Sequence, residues 1–120
     1  MQFMLLCCFD ESRWTALSGN ERDRIMNDYG QWIENNVSSG HYLAGGKLDG
    51  SRTATTVRER NGKAQITDGP FSETKEQIGG FHIIECRDRE EAVGIARRLP
   101  TLPAGGTVEV RPMLRQHGPP

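Results

Sequence analysis

The sequence lacks an excess of either charge, long apolar runs and a pattern of paired cysteines. Its 15 lysines and arginines balance 16 aspartates and glutamates, for a formal net charge of −1. Without a global basic field, the chain has no general attraction for nucleic acid or for an anionic membrane. No segment approaches the roughly 20 apolar residues that span a bilayer. We therefore expect no nucleic-acid partner and no membrane attachment.

The start of the chain and its few cysteines indicate a reducing compartment. The apolar run at residues 3–9 follows no Lys or Arg and ends at Asp10, unlike a secretory signal. The three cysteines are odd in number, and Cys7 and Cys8 are adjacent, which argues against a disulfide framework. We expect a cytoplasmic protein with reduced thiols in its core.

The histidines and cysteines show no spacing typical of a metal site. His82 and Cys86 share one face of a predicted strand, but four strand residues separate them by roughly 13 Å, too far to hold one ion together. The sequence also has no phosphate-binding loop, no cofactor motif and no nucleophile with an evident base. We therefore predict neither a metal nor a cofactor.

The length of 120 residues suits one domain. We assign residues 1–115 to this domain and expect residues 116–120 to form a disordered tail. Apolar periodicity predicts strands at residues 3–9, 41–48, 53–59, 63–67, 81–86 and 107–113, and helices at residues 18–39 and 88–99. Residues 10–17 are predicted to form a loop in which Trp14 covers the edge of the core.

Local signals define the helix starts and one hairpin. Ser18 and Glu21 form a capping box ahead of an apolar stripe that includes Val37, and Asp88 caps the second helix, whose stripe includes Val93. Asn61-Gly62 lies between two strand patterns, which is the strongest local indication of a hairpin because both turn positions need positive φ. That turn places Val57 opposite Ile66.

This order of elements is βαββαβ with one extra hairpin. It predicts an α+β fold in which a ferredoxin-like protomer has an antiparallel sheet with two helices on one face. The other face of the sheet also carries apolar residues. We therefore expect a second copy of the chain to cover it, giving a homodimer.

Residues 67–81 combine a turn signal with an unusual density of charge. Asp68 can form an Asx turn ahead of Gly69 and Pro70, and this structural interpretation is sufficient for those three residues. The alternative is a ligand cleft floored by Gly79 and Gly80, whose missing side chains leave space. In that cleft Asp68 and Glu73 would act as acid-base groups or polar anchors, and Lys75 would bind an anionic group.

Three further residues have an ordinary and a functional interpretation. His82 is either a satisfied sheet residue or the catalytic partner of Asp68. Arg111 shares a strand face with Glu109, and Arg58 is predicted to lie nearby across the sheet. Such charges are usually solvated at a surface, but in a dimeric barrel they would line a pocket and bind a ligand.

The segment Asp68-Gly-Pro-Phe, followed by Glu73, Lys75, Gly79-Gly80 and Val108-Glu109-Val110-Arg111-Pro112, resembles the YCII-related domain family, specifically its DGPF branch. The resemblance covers residues 1–115. It implies a dimeric α/β barrel of ferredoxin-like protomers, without an established activity. It also implies a bacterial protein often encoded beside an extracytoplasmic-function sigma factor, which is a possible partner.

The same resemblance identifies Tyr29 as a site residue. The wider family has a His on the first helix that pairs with an Asp in a cleft, and counting back from Gly40 places that position at Tyr29. A phenol is a far weaker base than imidazole near neutral pH. The family's acid-base pair is therefore altered in this chain.

Two functions follow as hypotheses. The first is a small-molecule site, catalytic or sensory, that uses Asp68, Glu73, Lys75 and His82. The second is a non-catalytic regulatory or interaction module whose loop binds a protein, such as the sigma factor. Whether the protein is an enzyme is left open by the sequence.

Overall fold

The structure is a computed structural model, and it describes residues 1–114. The predicted tail at residues 116–120 lies outside the described residues. The elements in chain order are β1 (Gln2–Asp10), α1 (Glu11–Ala16), α2 (Gly19–Ser38), β2 (Tyr42–Lys47), a 3₁₀ turn (Ser51–Thr53), β3 (Thr55–Arg60), β4 (Lys63–Asp68), β5 (Glu76–Glu85), α3 (Arg89–Ala96) and β6 (Thr107–Pro112).

The main sheet has four strands in the order β2-β5-β1-β6, and every neighbouring pair is antiparallel. Strands β3 and β4 form a separate two-stranded sheet. Apart from this hairpin, the strand order is that of a ferredoxin-like domain. The predicted α+β fold with an extra hairpin is therefore confirmed.

Alternation along β1 and β5 determines which face of the sheet meets the helices. Phe3 pairs with Ile84, and Leu5 pairs with His82, so these side chains share one face, and all are buried. They pack against residues of α2, α3 and the segment that follows α3: Trp32, Ala92, Ile95, Ala96 and Leu99. The Trp32 indole N–H donates to the Ile95 carbonyl over 3.0 Å, joining the two helices.

The opposite face of the sheet has no helix on it within residues 1–114. Met4 pairs with Ile83 on one side and Arg111 on the other, while Leu6 pairs with Phe81 and Glu109. The apolar members of this set are half-buried, and the two charged ones are exposed. We call this surface the open face.

The predicted local signals are present. The Ser18 side chain accepts from the Glu21 amide, and the Glu21 carboxylate accepts from the Ser18 amide, completing the capping box. Asn61 and Gly62 have φ of 52° and 78°, and the turn pairs Val57 with Ile66 as predicted.

Two segments predicted as loops are regular. Residues 11–16 form α1, because the Asp10 carboxylate accepts from the Ser12 amide as an N-cap. Strand β5 begins at Glu76 instead of residue 81, because β1 continues to Asp10 and pairs with residues 76–78 beyond a bulge at Cys7 and Cys8. Pairing with β1 thus overrides the weak strand preference of Gly79 and Gly80.

The predicted helix stripes were wrong at their ends. Val37 is exposed, and Asn36 is buried with its side-chain amide donating to the Trp32 carbonyl over 2.7 Å. In α3 the buried residues are Ala92, Ile95 and Ala96, and Val93 is exposed. Helix α3 ends at Ala96, and the Leu99 amide donates to the Ala96 carbonyl in a tighter turn.

None of the helices in residues 1–114 is both long and apolar enough to cross a membrane.

Candidate functional site

A cavity of about 640 Å³ lies between α2 and the helix-facing side of the sheet. Its walls are mainly apolar and include Trp14, Met26 and Ile33. The cavity exists partly because Gly79 and Gly80 on β5 bring no side chains to its lining. A methyl group on Gly80 would lie 3.0 Å from the Gly46 carbonyl oxygen, so a side chain at this position would require the Gly46 backbone to shift by a few tenths of an ångström.

Polar groups converge at one point on the cavity wall. His82 on β5 is 4% exposed, and its Nε2 lies 2.5 Å from the hydroxyl of Tyr29 on α2. Its Nδ1 lies 2.7 Å from the hydroxyl of Tyr42 on β2. Tyr29 and His82 both line the cavity. Three elements of the fold thus hold one imidazole by both of its nitrogens.

The close approach of Tyr42 depends on Gly45. These two residues lie on β2 around a bulge, and Gly45 pairs with His82. A methyl group at Gly45 would overlap the Tyr42 hydroxyl oxygen and would lie 2.6 Å from His82 Nδ1. Any side chain at this position would therefore separate Tyr42 from His82.

Burial keeps the site uncharged. It lowers the pKa of His82 from 6.5 to about 4 and raises the pKa of Tyr29 far above that of a free phenol. At neutral pH His82 is an imidazole with one N–H, so it donates to one tyrosine and accepts from the other. Burial is also the main reason why the pKa of Tyr42 is raised.

Cys7 extends this hydrogen-bonded chain into the cavity lining. Its sulfur lies 3.6 Å from the Tyr29 hydroxyl oxygen. Burial raises the pKa of the Cys7 thiol, so the sulfur is protonated at neutral pH and is not an activated nucleophile. Tyr42, His82, Tyr29 and Cys7 thus form one uncharged chain of hydrogen bonds.

Charged residues are confined to the mouth of the cavity, where Glu11, Lys47 and Asp49 contribute to the lining. The Glu11 carboxylate accepts from the Ser51 amide over 2.8 Å and also from the Ser51 hydroxyl. These hydrogen bonds lower the pKa of Glu11. They tie the start of α1 to the 3₁₀ turn at the rim.

Six of the residues predicted for the site divide between two cavities. Tyr29, Gly79, Gly80 and His82 line the larger one, together with Glu11 and Gln77. Asp68 and Glu73 line a smaller cavity of about 470 Å³ with Pro70, and this cavity also includes Glu11 and Gln77. The structure therefore does not bring Asp68 and His82 together, although their cavities adjoin.

The predicted cationic residues lie on the surface. Lys75 is exposed in the turn before β5. The guanidinium of Arg58 lies over the Phe71 ring, 5.2 Å from its centroid. Arg111 donates to Glu109 over 2.6 Å on the open face. In the described single chain these three residues contact neither His82 nor Tyr29.

Sequence reasoning missed Tyr42 and Cys7. Tyr42 reaches His82 only through the β2 bulge and the pairing of β2 with β5, and neither has a local sequence signal. Cys7 was assigned to the core, but it is half-buried at the cavity wall. Within residues 1–114, no group of three or more His, Cys, Asp or Glu side chains is arranged to hold a metal ion.

Three of the matches to known families and proteins bear on this chain. The model of the YCII-related domain matches residues 1–116. An uncharacterised protein of Rhizobium meliloti (strain 1021) is 38% identical over 114 residues, which are 94% of this chain and 92% of that protein.

The third match is a solved structure. It is 5-chloro-2-hydroxyhydroquinone dehydrochlorinase (TftG) from Burkholderia phenoliruptrix AC1100, in complex with 2,5-dihydroxybenzoquinone. Its TM-score to this chain is 0.50 at 18% sequence identity, covering 95% of this chain and 94% of that one. At this identity the match concerns the fold alone.

Proposed function

The chain belongs to the YCII-related domain family, and from that premise we propose that it binds a small, largely apolar molecule with a hydroxyl or carbonyl oxygen in the cavity beside Tyr29 and His82. The observation that carries the proposal is the hydrogen-bonded chain from Tyr42 to His82 to Tyr29, which ends at the wall of an apolar cavity. A few convergent polar groups in an apolar pocket are typical of a small-molecule site.

The size and polarity of the cavity support this class of ligand. A volume of about 640 Å³ is within the range of roughly 300–1,000 Å³ for ligand sites, and it is ample for one aromatic ring with substituents. The uncharged inner wall favours a neutral ring and would impose a desolvation cost on a buried ion. An oxygen on that ring would bond to the Tyr29 hydroxyl.

The site is suited to acid-base chemistry on that oxygen. In the tautomer with Nδ1–H donating to Tyr42, the Tyr29 hydroxyl donates to His82 Nε2. A ligand hydroxyl would donate its proton to the Tyr29 oxygen while Tyr29 transfers its own proton to His82 Nε2. The products are a ligand oxyanion and an imidazolium, and reversal of both transfers restores the site. His82 is neutral near pH 7 and can accept a proton, but a pKa of about 4 makes it a weak base, so the ion pair would form only transiently.

The structural neighbour supports this ligand class. The TftG structure contains 2,5-dihydroxybenzoquinone, a ring that carries hydroxyl and carbonyl oxygens. From TftG we extend to this chain only the kind of molecule that is bound. We do not extend its substrate or its reaction.

Roles for the remaining predicted residues follow from their positions. Gly79 and Gly80 would form the floor under the ligand. Asp68 and Glu73, in the adjoining smaller cavity, would act at its outer rim, with Lys75 attracting an anionic substituent. Arg58 and Arg111 would bind a ligand only if dimer formation places them beside the ligand site of the second copy.

We also propose a homodimer located in the cytoplasm. The open face carries apolar side chains on its central positions, among them Met4, Leu6, Phe81 and Ile83. An apolar sheet face of this kind is normally covered. In a dimer with twofold symmetry, the open face of each copy would cover the open face of the other.

The second candidate function is a non-catalytic module that binds a protein, such as an extracytoplasmic-function sigma factor. The observation that favours it is the exposed loop after β4, where the Phe71 side chain is 76% exposed. Charge reversal at Glu73 and Glu76 should then abolish capture of that partner and leave the cavity beside His82 intact, because neither residue lines it.

Binding of hydroxylated aromatic compounds to the wild type and to Tyr29→Phe tests the main proposal. We expect ligand-detected NMR to find binders for the wild type and about tenfold weaker affinity for Tyr29→Phe, the equivalent of one lost hydrogen bond. Lys63→Ala is the matched control, because Lys63 is exposed on β4 and does not line the cavity, and this variant should bind as the wild type does. The absence of any binder, or equal affinity of Tyr29→Phe, would disprove the assignment.

A further inference from the structure

Helix α1 has no buried residue, yet hydrogen bonds fix both of its ends. At its start the Glu11 carboxylate accepts from the amide of Ser51 over 2.8 Å and also from the Ser51 hydroxyl. At its end the Arg22 guanidinium on α2 donates to three backbone carbonyls, the shortest distance being 2.6 Å to Leu17. Polar contacts at both ends therefore hold α1 on the domain, without burial of its own side chains.

Trp14 is the large apolar side chain of α1, and it lies at the cavity. It is half-buried and lines the cavity together with Phe9. The centroids of these two rings are 5.7 Å apart, and their planes meet at 81°. In an edge-to-face pair the edge of one ring meets the face of the other, so Phe9 covers at most one face of the indole. At least one face of Trp14 is thus not covered by Phe9.

The indole differs from the aliphatic walls of the cavity in what it selects. Met26 and Ile33 on α2 are aliphatic, and they attract a flat ring and a puckered ring alike through dispersion. An aromatic face adds an attraction to a second aromatic ring that depends on geometry. This attraction corresponds to about two- to tenfold in affinity beyond the area buried.

The other large aromatic residues of the lining are less suited to this role. The Tyr29 ring already lies against Trp32 and His82, with centroids 5.9 Å and 5.6 Å away. Phe9 has a smaller face than an indole and is itself paired with Trp14. Trp14 therefore has the largest aromatic surface in the lining of the cavity.

From these observations we propose that Trp14 makes the cavity select a planar aromatic ring over an aliphatic ring of similar size. The inference rests on the function proposed above, in which Tyr29 bonds to the oxygen of the ligand, and it assigns recognition of the ring to a second residue. The hydrogen bonds of α1 support this role, because a surface that is held in place before binding loses less conformational entropy when it binds.

Phenol and cyclohexanol test the inference, because both carry one hydroxyl on a six-membered carbon ring and only phenol is planar. We expect the wild type to bind phenol more tightly in NMR titrations. Trp14→Leu should lower the ratio of the two affinities about fivefold, and Trp14→Phe, which keeps an aromatic face, should retain most of it. The hydroxyl of phenol is the stronger donor, but this difference is common to the three proteins and cancels in the comparison.

Two controls separate this inference from the proposed function. Tyr29→Phe should weaken both alcohols, since each loses a hydrogen bond. Circular dichroism should show that Trp14→Leu is folded, because no residue of α1 is buried. An affinity ratio that Trp14→Leu leaves unchanged, or that Trp14→Phe lowers equally, would overturn the inference, while the function proposed for Tyr29 would stand. A wild type that binds neither alcohol would overturn both.

Fluorine NMR gives an independent readout of the same contact. The chain has two tryptophans, so labelling with 5-fluorotryptophan gives two ¹⁹F resonances, and Trp14→Phe assigns them. Phenol should shift the Trp14 resonance more than cyclohexanol does, because phenol has a ring current. Trp32 is 5% exposed and does not line the cavity, so its resonance should move less. Equal shifts of the Trp14 resonance with the two alcohols would contradict stacking on the indole.

Discussion

The hydroxyl of Tyr29 on α2 lies 2.5 Å from Nε2 of His82 on β5, although 53 residues separate them in the chain. This contact joins the helix layer to the sheet at the wall of the cavity. One hydrogen bond thus joins a helix residue to a strand residue, and the tyrosine presents its oxygen to any ligand in the cavity. The contact makes Tyr29, which the family resemblance indicated, part of the same site as His82.

Tyr42 acts through His82 and is a positioning residue. We expect Tyr42→Phe to destabilise the fold by about 1–2 kcal/mol, because it leaves a buried imidazole nitrogen without a partner. The ¹⁵N chemical shifts of the His82 ring should change, since Nδ1 loses its partner and the tautomer balance shifts. The His41 ring, whose Nδ1 contacts Ser39, is an internal control. Unchanged His82 shifts in the variant would contradict this role.

Gly45 is required by the approach of Tyr42 to His82. Gly45→Ala should lower the free energy of unfolding by about 1–3 kcal/mol, because the added methyl group overlaps side chains and the Phe81 carbonyl. Gly30→Ala is a suitable comparison, since a methyl group there meets nothing within 4 Å on α2. That variant should gain about 0.5–1 kcal/mol from helix propensity. Urea denaturation measures both, and equal effects would show that the space at Gly45 is not restricted.

The sequence carries more information on the fold than on the site, for physical reasons that particular residues illustrate. Alternation along residues 81–86 places His82 on the same face as Ile84 and Cys86, and Asn61-Gly62 determines the register of the hairpin, because both are local effects. The contact between Tyr42 and His82 is different. It depends on a bulge in β2 and on pairing between strands about 40 residues apart, which no local pattern specifies.

The loop residues illustrate the same limit. Asp68 and His82 are 14 residues apart, and the sequence grouped them in one cleft. Continued pairing of β1 to Asp10 turned residues 76–78 into strand, which carries Asp68 away from His82 and into the smaller cavity.

Asp68→Asn distinguishes the two cavities. This substitution removes one of the charges at the smaller cavity and preserves the size of the side chain. We expect it to change ligand affinity less than about twofold, compared with about tenfold for Tyr29→Phe, when both are measured by titration calorimetry. If Asp68→Asn weakens binding as strongly as Tyr29→Phe, the ligand contacts the Asp68-Gly69-Pro70 turn, and the assignment to the His82 cavity is wrong.

The depressed pKa of His82 predicts that the protein loses stability in mild acid. The folded state holds His82 neutral down to about pH 4, whereas the unfolded chain binds a proton near pH 6.5. Between these values the unfolded state binds more protons, so the free energy of unfolding falls as the pH falls. The full effect amounts to about 3 kcal/mol.

His82→Gln removes the titrating group, and its urea-derived stability should depend less on pH over this range than that of the wild type. Because the carboxylates titrate in both proteins, their contribution cancels in the difference. Parallel pH profiles for the two proteins would mean that His82 is solvated in the folded state and not enclosed between Tyr29 and Tyr42.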